Sequence, residues 1–366
     1  MKKLSTTLLS LSAVFLLAAC GNTESPEKNV SSETTATEIT ESATAEVGGE
    51  LVVSTFAISE DVIVNDVFTP FEEANDVTIT YEVGNSGERF TKLENNPNST
   101  IDVIELSQIN AATGVSEGLF EELTEENVPN LALLVDGAQD AVETAGAPYT
   151  MNSIGIIYNP ETAGMEINEW SDLWDESLAG KISIPDITTT FGPAMLHVAS
   201  DYKEVDITSD NGEAAFEALT ELKPNIAKTY TKSSDLANLF QSGEIVAAVV
   251  GDFAFPIISE ANPDVVYIVP ESGTYANFNT LNVVASSENK EAAYAFINWK
   301  LSQELQTQTA SSLNEAPTNA DVELDEEVAA NKTYGDVAQR AKAIDFTFVN
   351  ENMESWLNLW NETLNQ

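Results

Sequence analysis

Short apolar runs and amphipathic stripes alternate along most of this chain, the rhythm of an α/β fold. Leu51-Val52-Val53-Ser54 reads as a first buried strand, and Ile63, Val67 and Phe71 fall on one face of a helix that gives way to a turn from Glu72 to Asp76. Val77 to Val83 reads as the second strand and Ile101-Asp102-Val103-Ile104 as the third. Ile154 to Tyr158, Lys181 to Ile184 and the strongly apolar Ile245 to Val250 continue the series. Phe216, Leu219 and Leu222 stripe a helix that Pro224 closes. Ala293, Phe296, Ile297, Leu301 and Leu305 stripe another, after the polar start Ser286 to Asn289. Near the end, Phe346, Phe348, Trp356, Leu357 and Trp360 predict a helix that packs on the body of the fold.

Two stretches break this rhythm, both near the start. Lys2 and Lys3, the apolar run Leu8 to Leu17 and then Ala18-Ala19-Cys20-Gly21 read as an export signal, too short and wrongly flanked for a membrane span. The placement of Cys20 resembles the bacterial lipobox, which implies cleavage after residues 1–19 and a lipidated, palmitate-bearing Cys20 at the new N-terminus. Cys20 is the single cysteine, so a disulfide-stapled fold is excluded. Residues 20–49 are Ser, Thr, Glu and Ala with scarcely a large apolar side chain, and cannot bury enough surface to offset their ordering entropy. They read as a disordered tether.

Charge narrows the partners. A net charge of −45 makes nucleic acid an unsuitable one. So much carboxylate draws cationic solutes toward the surface, and it equally serves as a solvated acidic coat. The catalytic inventory is poor. His197 is the only histidine and sits in the helix-like stretch Ala194-Met195-Leu196-His197-Val198, where a structural imidazole is the plainer reading. There is no Gly-x-Ser-x-Gly elbow, no His-Glu-x-x-His and no phosphate-binding Gly-Lys-Ser/Thr loop. Asp206 to Glu213 looks superficially like a calcium loop, but the position that needs glycine is Asn211. Carboxylates are numerous enough to supply a hydrolytic pair, and no spacing selects two of them.

Two segments carry a resemblance. Trp170-Ser171-Asp172-Leu173-Trp174 through Gly180-Lys181-Ile182-Ser183-Ile184-Pro185-Asp186 is similar to a segment of ABC solute-binding proteins in which a short helix precedes a strand of the second lobe. Leu281-Asn282-Val283-Val284 through Lys290-Glu291-Ala292-Ala293-Tyr294-Ala295-Phe296-Ile297-Asn298-Trp299 resembles the return strand and helix of the same receptors. With Tyr158-Asn159 after a hinge-like strand and the lipobox ahead, nearly all of residues 50 to 366 resembles the spermidine/putrescine-type branch. The resemblance implies an α/β, two-lobed periplasmic-binding-protein type II fold with two hinge crossovers, near Ala147 to Asn152 and Pro270 to Tyr275. It divides the chain into lobe 1 at 50–148 and 275–315, lobe 2 at 149–274, and a C-terminal helical segment at 316–366 packing on the lobes. It implies no enzyme, no cofactor and no metal. The chain is expected to work as a monomer with the permease and ATPase of an importer, outside the cytoplasm and anchored to the cell membrane by lipid.

Ligand contacts in open α/β sheets gather beyond the carboxyl ends of strands, where loops and helix N-termini offer free N–H groups. That rule nominates Thr55, Phe56, Asn85, Ser86, Ser107, Asp186, Thr188, Thr189, Phe191 and Asp252, with Asn152, Tyr275, Asn277 and Asn279 on the hinge side. Turn and cap chemistry explains the same residue types without a ligand. In polyamine receptors, aromatics hold the methylene chain and acids hold the ammonium groups. By resemblance Phe56, Ser107 and Tyr275 match such positions. Val250 stands where the family has tryptophan and Asn279 where it has an acid, and an asparagine cannot neutralise a buried ammonium. Asp186, Glu105 or Asp252 are the substitutes on offer. A polyamine or another organic amine is the expected solute. Thr188-Thr189-Thr190 before Phe191-Gly192-Pro193 also suits an anionic or neutral ligand, leaving phosphonate, thiamine-like and sugar solutes as alternatives. A surface carbohydrate-active enzyme or an adhesin is the reading from another class.

Overall fold

The computed structural model describes residues 48–364. The predicted signal segment, Cys20 and nearly all of the predicted tether lie outside those residues. Among the described residues the strands are β1 Gly49–Thr55, β2 Val77–Val83, β3 Val103–Ser107, β4 Ala147–Tyr158, β5 Ile182–Pro185, β6 Ile226–Tyr230, β7 Ala247–Gly251, β8 Val266–Ile268, β9 Thr274–Val283, β10 Ala316–Pro317 and β11 Ala341–Lys342. The first helix, α1, runs from Glu60–Ile63 through a π-helical Val64–Phe68 into Thr69–Asn75. The other helices that matter below are α2 Ser86–Asn95, α3 Gln108–Ser116, α4 Asp136–Ala145, α5 Gly192–Tyr202, α6 Glu213–Leu222, α7 Lys290–Lys300, α8 Gln303–Ser312 and α9 Phe346–Leu364.

Two strands belong to both halves of the molecule. β4 pairs antiparallel with β9 from Ala147 to Ser153, then with β7 from Ile154 to Tyr158. β9 begins beside β11 at Thr274 and Tyr275 and ends beside β3 at Asn279 to Val283. The lobe 1 sheet is therefore β2-β1-β3-β9-β4, and the lobe 2 sheet is β4-β7-β5-β6 with β8 on the other side of β4. The junction on β4 falls between Ser153 and Ile154, just beyond the span expected from sequence. On the way out, residues past α8 pass between the lobes a third time, since β10 pairs with Thr150 and Met151 of β4 and β11 pairs with β9. This passage contains strand pairing as well as helix, which the expectation of a helical C-terminal segment omitted.

Each lobe has its own core because its central strands are covered on both faces and are largely apolar. Leu51, Val53 and Val103 of lobe 1 and Ile154, Ile156, Ala247 and Val249 of lobe 2 are fully buried. β2 lies at an edge and alternates, with Tyr81 and Val83 exposed. The π turn of α1 stands immediately before Pro70, where an α-turn would need the amide hydrogen that proline lacks. The helix then continues through Glu72 to Asn75, so the expected turn shrinks to Asp76, at φ 53°. The expected single stripe from Ala293 to Leu305 is two helices, because Ser302 caps α8 by accepting from the Leu305 amide at 3.2 Å. Trp356 and Trp360 are buried in the lobe 2 core, as packing aromatics.

Candidate ligand cleft

The carboxyl ends of β1, β2 and β3 in lobe 1 and of β5 and β7 in lobe 2 bracket the two crossover strands. On the lobe 1 side the chemistry is ionic and internal. Thr55 donates to Glu105 at 2.6 Å, Tyr149 donates to the same oxygen at 3.1 Å, and Lys300 lies 3.5 Å from the other. Glu105 and Lys300 are each about 5% exposed, and the ammonium also sits 4.0 Å from the Tyr149 ring centre. Glu105 is thus already neutralised within the protein and offers no acid to a solute.

Beside this pair is Arg89, which sequence reasoning missed. Its guanidinium lies 4.8 Å from the Phe56 ring centre, donates from Nε to the Gly84 carbonyl at 2.9 Å and from Nη1 to the Ser54 carbonyl at 2.9 Å. Burial lowers its pKa to about 10. The signal was present in the sequence, since Arg89 is one of only two arginines and stands four residues after the nominated Asn85 on the same helix face. Asn85 is exposed and its side chain caps nothing. Ser86 and Ser107 join the starts of α2 and α3, because the Ser107 amide donates to Ser86 Oγ at 2.9 Å and the two hydroxyls lie 3.0 Å apart, with Asn110 accepting from Ser86 at 2.8 Å.

The floor is made of amides. Asn152 and Asn277 stand directly opposite each other in the antiparallel register and so share a face. The Asn277 side-chain oxygen accepts from the Gln108 amide at 3.2 Å, and its nitrogen donates to Asn279 at 3.3 Å. Among the described residues nothing hydrogen-bonds the Asn152 side chain, and the neighbouring Thr150 hydroxyl is buried without a partner. Buried polar groups are normally satisfied, so these mark a place where something polar belongs.

On the lobe 2 side, Asp186 accepts from the Thr188 amide at 3.0 Å and hydroxyl at 2.7 Å, while Thr189 donates to the Asp186 carbonyl at 2.7 Å. Thr188 and Thr189 therefore hold the turn into α5. Both carboxylate bonds fall on Oδ1, leaving Asp186 Oδ2 without a partner among the described residues on a half-buried residue. Phe191 stacks on Phe253 with ring centres 6.1 Å apart, over Gly251, where a Cβ would come within 2.5 Å of the Phe191 ring. Asp252, the other candidate acid, is buried and accepts from the Thr333 amide at 2.8 Å, the Thr333 hydroxyl at 2.5 Å and the Phe253 amide at 2.8 Å. Burial pushes its pKa up to about 7 against the pull of those bonds. It fastens the third passage to lobe 2 with both oxygens engaged inside the protein.

Tyr275 also serves elsewhere. Its hydroxyl donates to Asp201 at 2.9 Å and its ring lies 4.8 Å from His197, in the wall of a separate cavity of about 440 Å³ between α5 and the segment around Lys342. His197 is buried with Nδ1 2.8 Å from the Pro193 carbonyl, and burial lowers its pKa. Asp206 and Asp210 cap turns, accepting from Thr208 and Gly212. Among the described residues no group of His, Cys, Asp or Glu could hold a metal ion, and no helix is long and apolar enough to cross a membrane.

Two lobes on shared crossover strands, with unmet polar groups along the floor between them, define a hinged solute receptor. Residues 66–335 match the family described as bacterial extracellular solute-binding protein, and the chain belongs to it. A crystal structure of an ABC transporter protein from Clostridium perfringens is 52% identical, with a TM-score of 0.77, covering 86% of this chain and 99% of that one. The putrescine-binding periplasmic protein of Pseudomonas aeruginosa is 26% identical over 67% of this chain and 72% of its own length. The spermidine/putrescine-binding periplasmic protein of Escherichia coli is 22% identical over 74% of this chain and 80% of its own. The protein is a solute-binding component of an ABC transporter, works outside the cytoplasm with a permease and an ATPase, and is not an enzyme.

Proposed function

We propose that this receptor captures a small amine-bearing solute between its lobes and delivers it to the permease as a lipid-anchored monomer. The anchor rests on Cys20, the single cysteine, behind an export-type run. The amine rests on one observation, the free Oδ2 of Asp186 beside the Phe191–Phe253 pair. An ammonium gains a charge-assisted bond from the first and a π face from the second. The relatives named for putrescine and spermidine support the same class. A linear diamine needs a second acid, however, and Glu105 and Asp252 are both engaged inside the protein while Asn277 and Asn279 carry no charge. One ammonium per solute is what this cleft accommodates.

Thermal unfolding of residues 48–364 against monoamines, diamines, polyamines, amino acids, phosphonates, thiamine and short sugars tests this. A ligand at a hundred times its dissociation constant stabilises by about 2.7 kcal/mol. An amine-class shift is the expected result, and a shift confined to sugars or to non-amine anions would overturn the amine while leaving the receptor.

A further inference from the structure

The unused chemistry on the lobe 1 wall has the opposite sign to an amine site. α2 is ten residues long and α3 nine, and the N-cap side chains Asn85 and Ser107 accept from neither first turn, although Asn277 accepts from the Gln108 amide of α3 at 3.2 Å. The first-turn amides of a helix have no intrahelical acceptor, and the dipole puts partial positive charge there. Ser86 and Ser107 bring these two starts together, with their hydroxyls 3.0 Å apart. Such a junction alone would be ordinary capping geometry. Arg89 is the second observation. Its residue is 3% exposed, its Nε and Nη1 are used, and its Nη2 is buried without a partner among the described residues. Those bonds hold the guanidinium between the end of β1 and the loop that enters α2, under the ring of Phe56. A guanidinium arm left unpaired in a buried place costs free energy unless an acceptor arrives. The nearby acids are accounted for: Glu105 by Thr55, Tyr149 and Lys300, Glu82 by Ser54 and Lys92, with Glu88 exposed to solvent.

We propose that the lobe 1 wall binds an anionic group of the solute, a carboxylate or phosphonate, at the start of α2 with Arg89 behind it, so that the solute is a zwitterion. Its anion meets lobe 1 and its ammonium meets Asp186 of lobe 2, with the amide floor between. Phe56 swings off the guanidinium as the anion enters. This rests on the amine reading above and adds the second charge.

The test is calorimetric titration with ω-amino acids of three to six carbons, diamines of matching length and diacids of matching length. At least one ω-amino acid binds at least tenfold more tightly than its diamine and its diacid. A diamine that binds as well overturns the anion site and keeps the amine reading; failure of every amine-bearing probe overturns both. Arg89→Gln removes the fork but also loosens the β1 end, so Gly87→Asp is the cleaner variant. Nothing lies within 4 Å of a Cβ at Gly87, and an acid in the first turn of α2 favours the helix while repelling an anion. Gly87→Asp should cost the ω-amino acid at least tenfold in affinity with no loss of thermal stability, and Gly87→Asn should cost less than threefold. Equal affinity in Gly87→Asp and the parent overturns the proposal.

Discussion

The two walls of the cleft are built on different physics. Lobe 1 presents a buried ion cluster in which Glu105, Lys300, Tyr149 and Thr55 hold one another and Arg89 keeps one arm in reserve. Lobe 2 presents stacked phenylalanines and a turn closed by Asp186, with a single oxygen left over. Charge on the first wall is fixed by the protein; on the second a half-buried carboxylate keeps one oxygen unpaired. The contrast teaches that counting acids near a cleft says little until each is traced to its partner, because three candidate carboxylates reduce here to one.

The comparison can be broken at either wall. The largest effect is expected from Lys300→Met, which leaves Glu105 buried without its cation and should cost about 3–5 kcal/mol in urea unfolding. A loss below 1 kcal/mol would show that the cluster does not depend on the pair. Gly251→Ala drives a methyl group into Phe191 and Phe253, at 2.5 and 2.6 Å, and should cost about 1–3 kcal/mol while weakening every ligand. An unchanged midpoint would mean that the rings part freely.

Asp252 bears on the join between the walls. Its pKa is raised in the folded protein, to about 7, so between pH 4 and 7 the folded state holds a proton that the unfolded state has lost, and this group makes stability fall as pH rises through that window. Asp252→Asn should remove up to one proton's slope, about 1.4 kcal/mol per pH unit, from the stability curve. An identical slope in parent and variant would contradict the burial of that carboxyl. The smallest change in stability, under about 0.5 kcal/mol, is expected for Asp186→Asn, which keeps an oxygen for Thr188. Its effect should appear instead as a tenfold loss of amine affinity by calorimetry, and undiminished affinity would remove Asp186 from the site.

Much of the architecture was legible because the buried strands β1 and β7 are apolar almost without interruption while the edge strand β2 alternates. Leu51 to Ser54, Val77 to Val83 and Ile245 to Val250 all announced strands within two residues of their observed bounds. The first half of β4 was not legible as strand. Thr150, Asn152 and Ser153 lie where the chain leaves one core for the other, so they answer to the cleft floor and no apolar period marks them. The site was legible by type and blurred by partner. Thr188 and Thr189 read equally as ligands or turn residues, and their bonds to Asp186 give them the turn role. Asp252 reads as free because Thr333, which occupies it, lies 81 positions away. Arg89 was passed over because a charged residue on an amphipathic helix is ordinarily a solvated one.

The third passage of the chain has a mechanical consequence. Two adjacent strands alone form a flexible ribbon that can both bend and twist. α9, however, packs against α6 in lobe 2 and reaches α3 in lobe 1 through a 3.1 Å bond from Asn350 to Thr113, and β10 and β11 stitch the same passage to β4 and β9. A third attachment away from the ribbon resists torsion and leaves bending as the soft motion. The lobes should therefore open and shut like a book with a stiffened spine, its pages returning to the same alignment each time.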